Sequence, residues 1–562
     1  MQKIEHAALI AYAFFTIGAL TVVGPAHAAD MPLKAPVPVV APSWTGVYVG
    51  AGVGIRSTQT DFSMVGSSFN GGPNIFAAQC AANAALFDCV RGEPMNDTAF
   101  RFSPYVGYNY QVGSQWVVGV EADFGWASKT TTLLGMRYPA TTEITQLADS
   151  SFSVKTTWDA SARGRVGFLV TPSVLVYGTG GAAWLHVEAT SVCSTNPIVG
   201  VCAPGGQSPA VITDSTTKAG WTVGGGIEAM LWANWIARGE YRYADFGTIT
   251  NIDTRVIGGL PVTDTYDLRI RTHTATFGLA YKFGAADPVA VPGMPVKAPV
   301  YKAPPAVVAS WSGFYVGGDV GMRSTRTDVT VTDFNFGGLT LTAACAAVAT
   351  FGGCLLGEPF NDTAFRIGPY AGFNWQMAPQ WVAGVEADWA WASKTTTLTG
   401  MSYPTSGLMS GLSSANSFSV RTTWDASARG RIGFLATPTV LAYATGGVAW
   451  LHVESTSNCS LIPGAGGCAI TQTLLFAPAV ITDSKTKTGW TLGGGIEAML
   501  WSNWLARAEY RYADFGTISN TDIRSTGTLT FVASYDVHIR THTALFGLAY
   551  KFDWGGPVIA KY

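Results

Sequence analysis

The sequence is short of charge. Only 12% of its 562 residues are Asp, Glu, Lys or Arg, and 34 cations against 36 anions leave a net charge of −2 with no block of like sign. That balance offers no basic face for nucleic acid or for an anionic membrane surface, so neither is expected as a partner. Long apolar runs are missing too. Past residue 28 no stretch reaches the roughly 18 consecutive apolar residues that a membrane-spanning helix requires, although 48% of the chain is hydrophobic. Histidine is sparse, with 7 residues, and none sits in a catalytic or metal-binding motif. No nucleophile is signalled either, so no enzyme and no cofactor is expected. What is plentiful is glycine (65), tryptophan (19) and tyrosine (21), an unusual composition for a cytosolic enzyme.

The first residues combine Lys3, an apolar run from Ala7 to Val23 and the small-residue pattern Ala26-His27-Ala28. This reads as a secretory signal over residues 1–28, cleaved after Ala28. The Asp30-Met31-Pro32 that follows is not a stop-transfer pattern.

Self-similarity then organises the rest. WTGVYVGAGVG at Trp44 returns as WSGFYVGGDVG at Trp311, GEPMNDTAFR at Gly92 as GEPFNDTAFR at Gly357, and TTWDASARGR at Thr156 again at Thr422. GWTVGGGIEAMLW at Gly220 becomes GWTLGGGIEAMLW at Gly489, and FGLAYKF closes the copies at Phe283 and Phe552. A fixed-offset repeat of this length defines the architectural unit before any secondary structure is assigned. The expected domains are a Pro-rich leader (29–43), one unit (44–283), a linker (284–310) rich in Pro, Ala and Val, a second unit (311–552) and a tail (553–562). The linker composition favours an extended polyproline II spacer, placed here on the periplasmic side.

Each unit holds eight segments of alternating character. Short turns follow strands two, four and six (Val112 to Gln115, Thr171 to Ser173, Trp232 to Trp235), and longer Ser-, Thr-, Asn- and Gly-rich stretches follow strands one, three, five and seven. Short turns on one side and long loops on the other are the arrangement of a transmembrane β-barrel, with the long loops outside the cell. Period-two facing puts Val118, Val120, Ala122, Phe124 and Trp126 on the lipid side and Glu121 and Asp123 on the other. The same reading sends Lys155, Asp159, Arg163, Arg165, Glu228, Arg238, Glu240 and Arg242 into the lumen. The second copy repeats the set at Glu386, Asp388, Arg429, Arg431, Glu497, Arg507, Glu509 and Arg511. A soluble sandwich would bury apolar side chains on that inner face, whereas this one carries both signs of charge. Trp232, Trp235, Trp501 and Trp504, flanking turns, are expected at the membrane interface.

Eight cysteines form four pairs, each with eight intervening residues: Cys80 and Cys89, Cys193 and Cys202, Cys345 and Cys354, Cys459 and Cys468. All fall in expected external loops, and an exported chain meets an oxidising compartment, so four local disulfides are expected in preference to zinc, whose motifs add closer Cys or His ligands. His186 with Glu188, and the RTHTA segments at Arg271 and Arg540, are the only positions that could be read as acid–base groups.

WTGVYVGAGVG, DASARGRVGF at Asp159, GGGIEAML and the terminal FGLAYKF together resemble the porin-family outer-membrane β-barrel proteins of alpha-proteobacteria, including their major surface antigens. The resemblance covers nearly the whole chain after residue 28. It implies an all-β fold, an outer-membrane location and the barrel assembly machinery as a partner, with the alternating Phe277, Leu279, Tyr281 and Phe283 (Phe546, Leu548, Tyr550 and Phe552 in the second copy) as the assembly signal. Members commonly end at that aromatic residue, whereas this chain continues to Tyr562. The resemblance supplies no catalytic residues.

Two tandem eight-stranded barrels are expected, with one sixteen-stranded barrel as the alternative. Eight strands enclose an interior just wide enough for side chains, which then pair their charges. The expected role is therefore structural and surface-exposed, contributing to envelope integrity and surface interaction, with peptidoglycan or host and surface ligands met through the loops as further expected partners. The alternatives are passive diffusion of small solutes through a larger lumen, with the inward Arg and Glu as selectivity groups, and, as the family resemblance alone implies, haem or small-ligand capture by the external loops.

Overall fold

The computed structural model describes residues 43–74, 92–134, 151–193, 210–231, 234–257, 259–283, 310–336, 338–340, 357–399, 417–459, 468, 475–500 and 503–553. Among them every regular element is a β-strand. The first copy supplies β1 (Gly46–Phe69), β2 (Gly92–Pro94), β3 (Asp97–Val112), β4 (Trp116–Leu134), β5 (Ser151–Thr171), β6 (Val174–Val192), β7 (Val211–Met230), β8 (Trp235–Ile257) and β9 (Leu260–Lys282). The second supplies β10 (Gly313–Phe336), β11 (Leu339–Thr340), β12 (Gly357–Pro359), β13 (Asp362–Ala378), β14 (Trp381–Thr399), β15 (Ser417–Thr437), β16 (Val440–Asn458), β17 (Val480–Met499), β18 (Trp504–Ser525) and β19 (Thr530–Asp553). The short β2, β11 and β12, which the sequence reading missed, pair only with β1 or β10.

Each long strand pairs antiparallel with its neighbours in sequence, and the first long strand of each copy also pairs with the last. β1 runs against β9 from Tyr48 opposite Lys282 to Phe69 opposite Val262, and β10 against β19 from Gly313 opposite Asp553 to Phe336 opposite Phe531. Two eight-stranded barrels result. The sixteen-stranded alternative is overturned, because the strand edges it would join across the copies are already hydrogen-bonded within each copy. Closure is what a bilayer demands, since lipid offers no partner to an open edge.

The alternation expected from the sequence organises the wall. Along β3 almost every second residue is buried and the residues between are exposed, with Phe100 at 70%. Aromatic pairs mark two levels on the outer surface: Trp116 with Phe168 and Trp235 with Tyr281 near the short turns, Phe102 with Trp126 and Trp221 with Tyr243 at the other. Between Trp116 and Trp126, β4 turns Val118, Val120 and Phe124 outward, about the length of tilted strand that crosses a hydrocarbon layer. Trp232 and Trp501 lie outside the described residues.

Two expectations need correction. The connection after strand seven is not a long loop: β8 and β9 are joined through residues 258–259, with Gly259 at φ +82°, and β18 and β19 through residues 526–529, with Gly527 at φ +93°. The polar stretch read as loop keeps its alternation and continues as paired strand well past the upper aromatic level. Lys155 faces outward, 2.9 Å from Glu188, because the pairing shifts register between Thr156 and Asp159 and a period-two count carried across that bulge inverts the facing.

At the closing seam the backbones approach too closely for a side chain. A Cβ at Gly54 would stand 1.9 Å from the Ala275 carbonyl oxygen, and one at Gly321 would stand 2.1 Å from that of Ala544. Gly54→Ala or Gly321→Ala should therefore force β1 from β9, or β10 from β19, at a cost of about 1–3 kcal/mol. The check is the urea midpoint at which the folded, fast-migrating form is lost on unheated gels.

Candidate functional site

The interior of each barrel is filled in three layers. Nearest the short turns is an apolar plug opened by the first residue of each repeat. Trp44 is fully buried, its indole Nε1 donates to the Pro172 carbonyl at 3.0 Å, its backbone N donates to Gln111 Oε1 at 3.0 Å, and Tyr48, Tyr105, Leu175 and Met230 pack around it. Trp311 repeats this with the Pro438 carbonyl and Gln376. Trp inside a barrel needs a partner for its N–H, and the tight turn after β5 or β15 provides one.

The middle layer is ionic. In the first copy Glu121 accepts from Tyr48 Oη at 2.8 Å, Arg163 at 2.5 Å and Arg238 at 2.6 Å. Asp123 accepts from Ser161, from Arg101 at 2.5 Å and from Arg242 at 2.6 Å. Glu240 accepts from Arg163 at 2.9 Å and from Tyr177 at 2.6 Å, while Glu228 lies 2.8 Å from Arg165. Arg238 also lies over the Tyr105 ring at 3.6 Å and Arg165 over that of Tyr177 at 4.1 Å. The second copy repeats the pattern: Glu386 with Arg429 and Arg507, Asp388 with Arg366 and Arg511, Glu509 with Arg429, and Glu497 with Arg431. Apart from Lys155, the predicted inward residues thus sit together, each within reach of an opposite charge, in a space where an unpaired ion would be costly.

The sequence reading missed part of this layer. Arg56 bonds Asp159 at 2.7 Å and Thr156 at 2.7 Å, and Arg101 holds Asp159 at 2.5 Å. Arg323, Arg366 and Asp425 do the same in the second copy. Both arginines could have been found by carrying the alternation of Val47, Val49 and Val53 through Arg56, and that of Phe100 and Phe102 through Arg101. A further difference separates the copies. Asp319, bonded to Arg366 at 2.7 Å and Arg507 at 3.2 Å, stands where the first copy has Gly52. The second network pairs six arginines with six carboxylates, the first six with five. Ser103 in the first copy, where the second has Gly368, occupies some of the vacated room, since its Oγ would lie 3.4 Å from a Cβ at position 52.

The third layer, also unforeseen, is apolar again. Phe62, Leu133, Phe152, Leu185, Leu268 and Ile270 fill the first barrel above the ions, and Leu398, Phe418, Leu451, Val537 and Ile539 fill the second. Beyond it, outside the membrane-spanning part, Asp253 and Asp264 are buried beside Arg255 and Tyr266. Burial pushes the Asp264 carboxyl up to about 6, only partly offset by Ser67 and Arg255. Ala533 stands at its place in the second copy.

Cys459 and Cys468 are joined by a disulfide, and Cys193 is disulfide-bonded as well. Cys80, Cys89, Cys202, Cys345 and Cys354 lie outside the described residues, as does Ala28. His186 belongs to the upper aromatic level: its ring stacks on Trp158 at 5.5 Å, and its Nδ1 lies 3.1 Å from Thr217 Oγ1. Ser215 and Glu188 both approach the other nitrogen, at 3.4 and 3.7 Å. Arg271 and Arg540 pair with Asp61 and Asp328 on the outer surface. Among the described residues no group of His, Cys, Asp and Glu is arranged to hold a metal.

An apolar outer wall, closed pairing and a charged but filled lumen define an integral outer-membrane β-barrel. The chain belongs to the outer membrane protein beta-barrel domain family, whose profile matches residues 16–283 and 298–552. It is similar to the 31 kDa outer-membrane immunogenic protein of Brucella melitensis (30% identical over 272 residues, 47% of this chain and 90% of that protein). It is also similar to the 25 kDa outer-membrane immunogenic protein of Brucella abortus (27% over 190 residues, 34% and 66%) and to the 22 kDa outer membrane protein of Rhizobium leguminosarum (30% over 155 residues, 28% and 56%). It is thus a bacterial outer-membrane protein of surface-antigen type, carrying the domain twice. The family and its relatives are named as outer-membrane proteins, and none of these names describes an enzyme.

Two outcomes follow from this interior. Asp319→Ala leaves Arg366 and Arg507 short of a buried partner and should destabilise the second barrel by about 3–5 kcal/mol, whereas Gly52→Asp with Ser103→Gly, which reproduces the second network in the first, should raise the first barrel's urea midpoint. For Asp264 the sign is that of an acid raised on folding: its protonated form fits the folded state, so stability falls as pH rises from about 4 through about 6. Limited proteolysis of the β8–β9 hairpin should be faster at pH 8 than at pH 5, and Asp264→Asn should remove that difference.

Proposed function

We propose that the chain serves the outer membrane as two closed anchors that contribute to envelope integrity and carry surface-exposed segments, not as a conduit. The observation that supports this most directly is the layered filling: a solute entering either lumen meets a Trp-centred plug, a network of paired ions and a second apolar layer. Passive diffusion would need all three to open, and an eight-stranded circumference leaves little more than side-chain volume. The immunogenic character in the Brucella relatives' names accords with display at the cell surface. As parts of the same proposal, the assembly machinery reads the outward Leu548, Tyr550 and Phe552 of β19, and peptidoglycan is a partner of the Pro-rich leaders. Haem or ligand capture by the loops falls largely on residues outside the described ones.

The test is conductance of the purified full chain in a planar bilayer. The expected result is a silent membrane. Stable steps whose ion selectivity changes in Glu121→Gln or Glu386→Gln would overturn the proposal in favour of a channel.

A further inference from the structure

Some outward-facing side chains do not meet lipid. Along the outer wall of the first barrel Leu279, Val53 and Val223 are 46–49% exposed, yet Val174, Ala229, Ala237 and Ala275, which face the same way, are at most 7% exposed, as are their counterparts Val440, Ala498, Ala506 and Ala544. Both copies belong to one compact unit, and what covers these residues is the other barrel. Val174, Ala229, Val440 and Ala498 form one buried cluster, with Ile227 and Ile496 packed against it. A Cβ placed on Gly239 would stand 2.5 Å from that of Ala508, its counterpart in the repeat. The gap left beside them has room for about 10 Å³, enough for one water and too little for an acyl chain.

Towards the outer end the contact becomes polar and reciprocal. Ser57 Oγ lies 2.6 Å from Thr363 Oγ1, and Thr98 Oγ1 lies 2.6 Å from Ser324 Oγ. Asn96 Nδ2 donates to the Asn361 carbonyl at 2.8 Å, and Asn361 Nδ2 donates to the Asn96 carbonyl at 2.8 Å. Ser57 and Ser324, Thr98 and Thr363, and Asn96 and Asn361 are equivalent positions of the repeat, so exchanging the copies maps the contact onto itself. That is the signature of a two-fold, self-complementary interface. In lipid the hydrophobic effect does not drive apolar walls together, and association depends on small residues that allow close approach and on polar groups that bond across. Both are present here, in both copies.

We propose that the two barrels are docked side by side in the outer membrane across this lipid-free, pseudo-two-fold seam, so that the partner this face of the barrel fits is a second copy of the same barrel, supplied here within one chain. The Pro-rich segment 284–310 then keeps the copies together during assembly, and the seam holds them afterwards.

The test uses the full chain in native outer membranes, with a protease site inserted in segment 284–310 and two cysteine pairs made separately: Ser57→Cys with Thr363→Cys, and Thr98→Cys with Ser324→Cys. Val120→Cys with Val385→Cys, two positions 61% and 63% exposed on the outer wall, is the control. After mild oxidation and linker cleavage, the seam pairs should hold the two halves together on denaturing gels and the control pair should not. Folded migration on unheated gels confirms that each variant has formed its barrels. Seam pairs that link no better than the control in folded protein would overturn the proposal. A second reading needs no cysteine: linker-cleaved protein should elute from a sizing column in mild detergent as one species. Separation into halves would contradict the docking.

Discussion

Lipid cannot hydrogen-bond, and the architecture follows from that single fact. The described residues hold no long apolar helix, and strands can cross a bilayer only as a closed sheet, so β1 must find β9 and β10 must find β19. Closure on eight strands in turn fixes a lumen that side chains alone can fill. Because the outer wall must be apolar to meet lipid, the inner face is free to be polar, and the inside-out pattern of Glu121, Asp123 and Arg163 facing inward opposite Val118 and Val120 facing lipid is the result. Charges in that enclosed space persist only when paired, so six arginines in each copy converge on carboxylates donated by five or six neighbouring positions around the barrel.

Much of this was legible in the sequence. Eight long strands per copy, the short turns, the inward charges of β4, β5, β7 and β8, and the outer-membrane class all follow from period-two alternation and from the repeat. What could not be read has identifiable causes. The bulges near Thr156 and Trp126 reverse facing without altering composition, so a period-two count alone places Lys155 in the lumen. Ser, Thr and Asn along β8 and β9 resemble loop residues because strands that emerge from the membrane no longer need an apolar outer face. The apolar layers above and below the ions were hidden because a residue such as Leu185 or Leu268 looks lipid-facing until its neighbours' register is known. The seam residues were invisible for a related reason. Alanine at 229 or 275 satisfies a lipid-facing position by polarity alone, and only the opposing barrel shows that its small size matters.

Duplication gives an internal comparison that a single barrel lacks. The Trp plug, the Tyr–Arg stacking and the outer apolar layer recur with little change in both copies, which separates the parts the closed lumen requires from those that vary. Asp319 against Gly52, compensated by Gly368 against Ser103, shows that volume and charge in the lumen are exchanged together. Asp264 against Ala533 lies outside the membrane, where a buried acid is tolerated at some cost near neutral pH.

The lumen at the level of the ions is filled by side chains and closed to bulk solvent. That closure is tested by placing a cysteine there, at Thr276 in the first barrel or Thr445 in the second, both nearly fully buried, and exposing the folded protein to a small, charged, water-soluble thiol reagent. The filled lumen predicts labelling only after unfolding in urea. Rapid labelling of the folded protein from the aqueous side would contradict it.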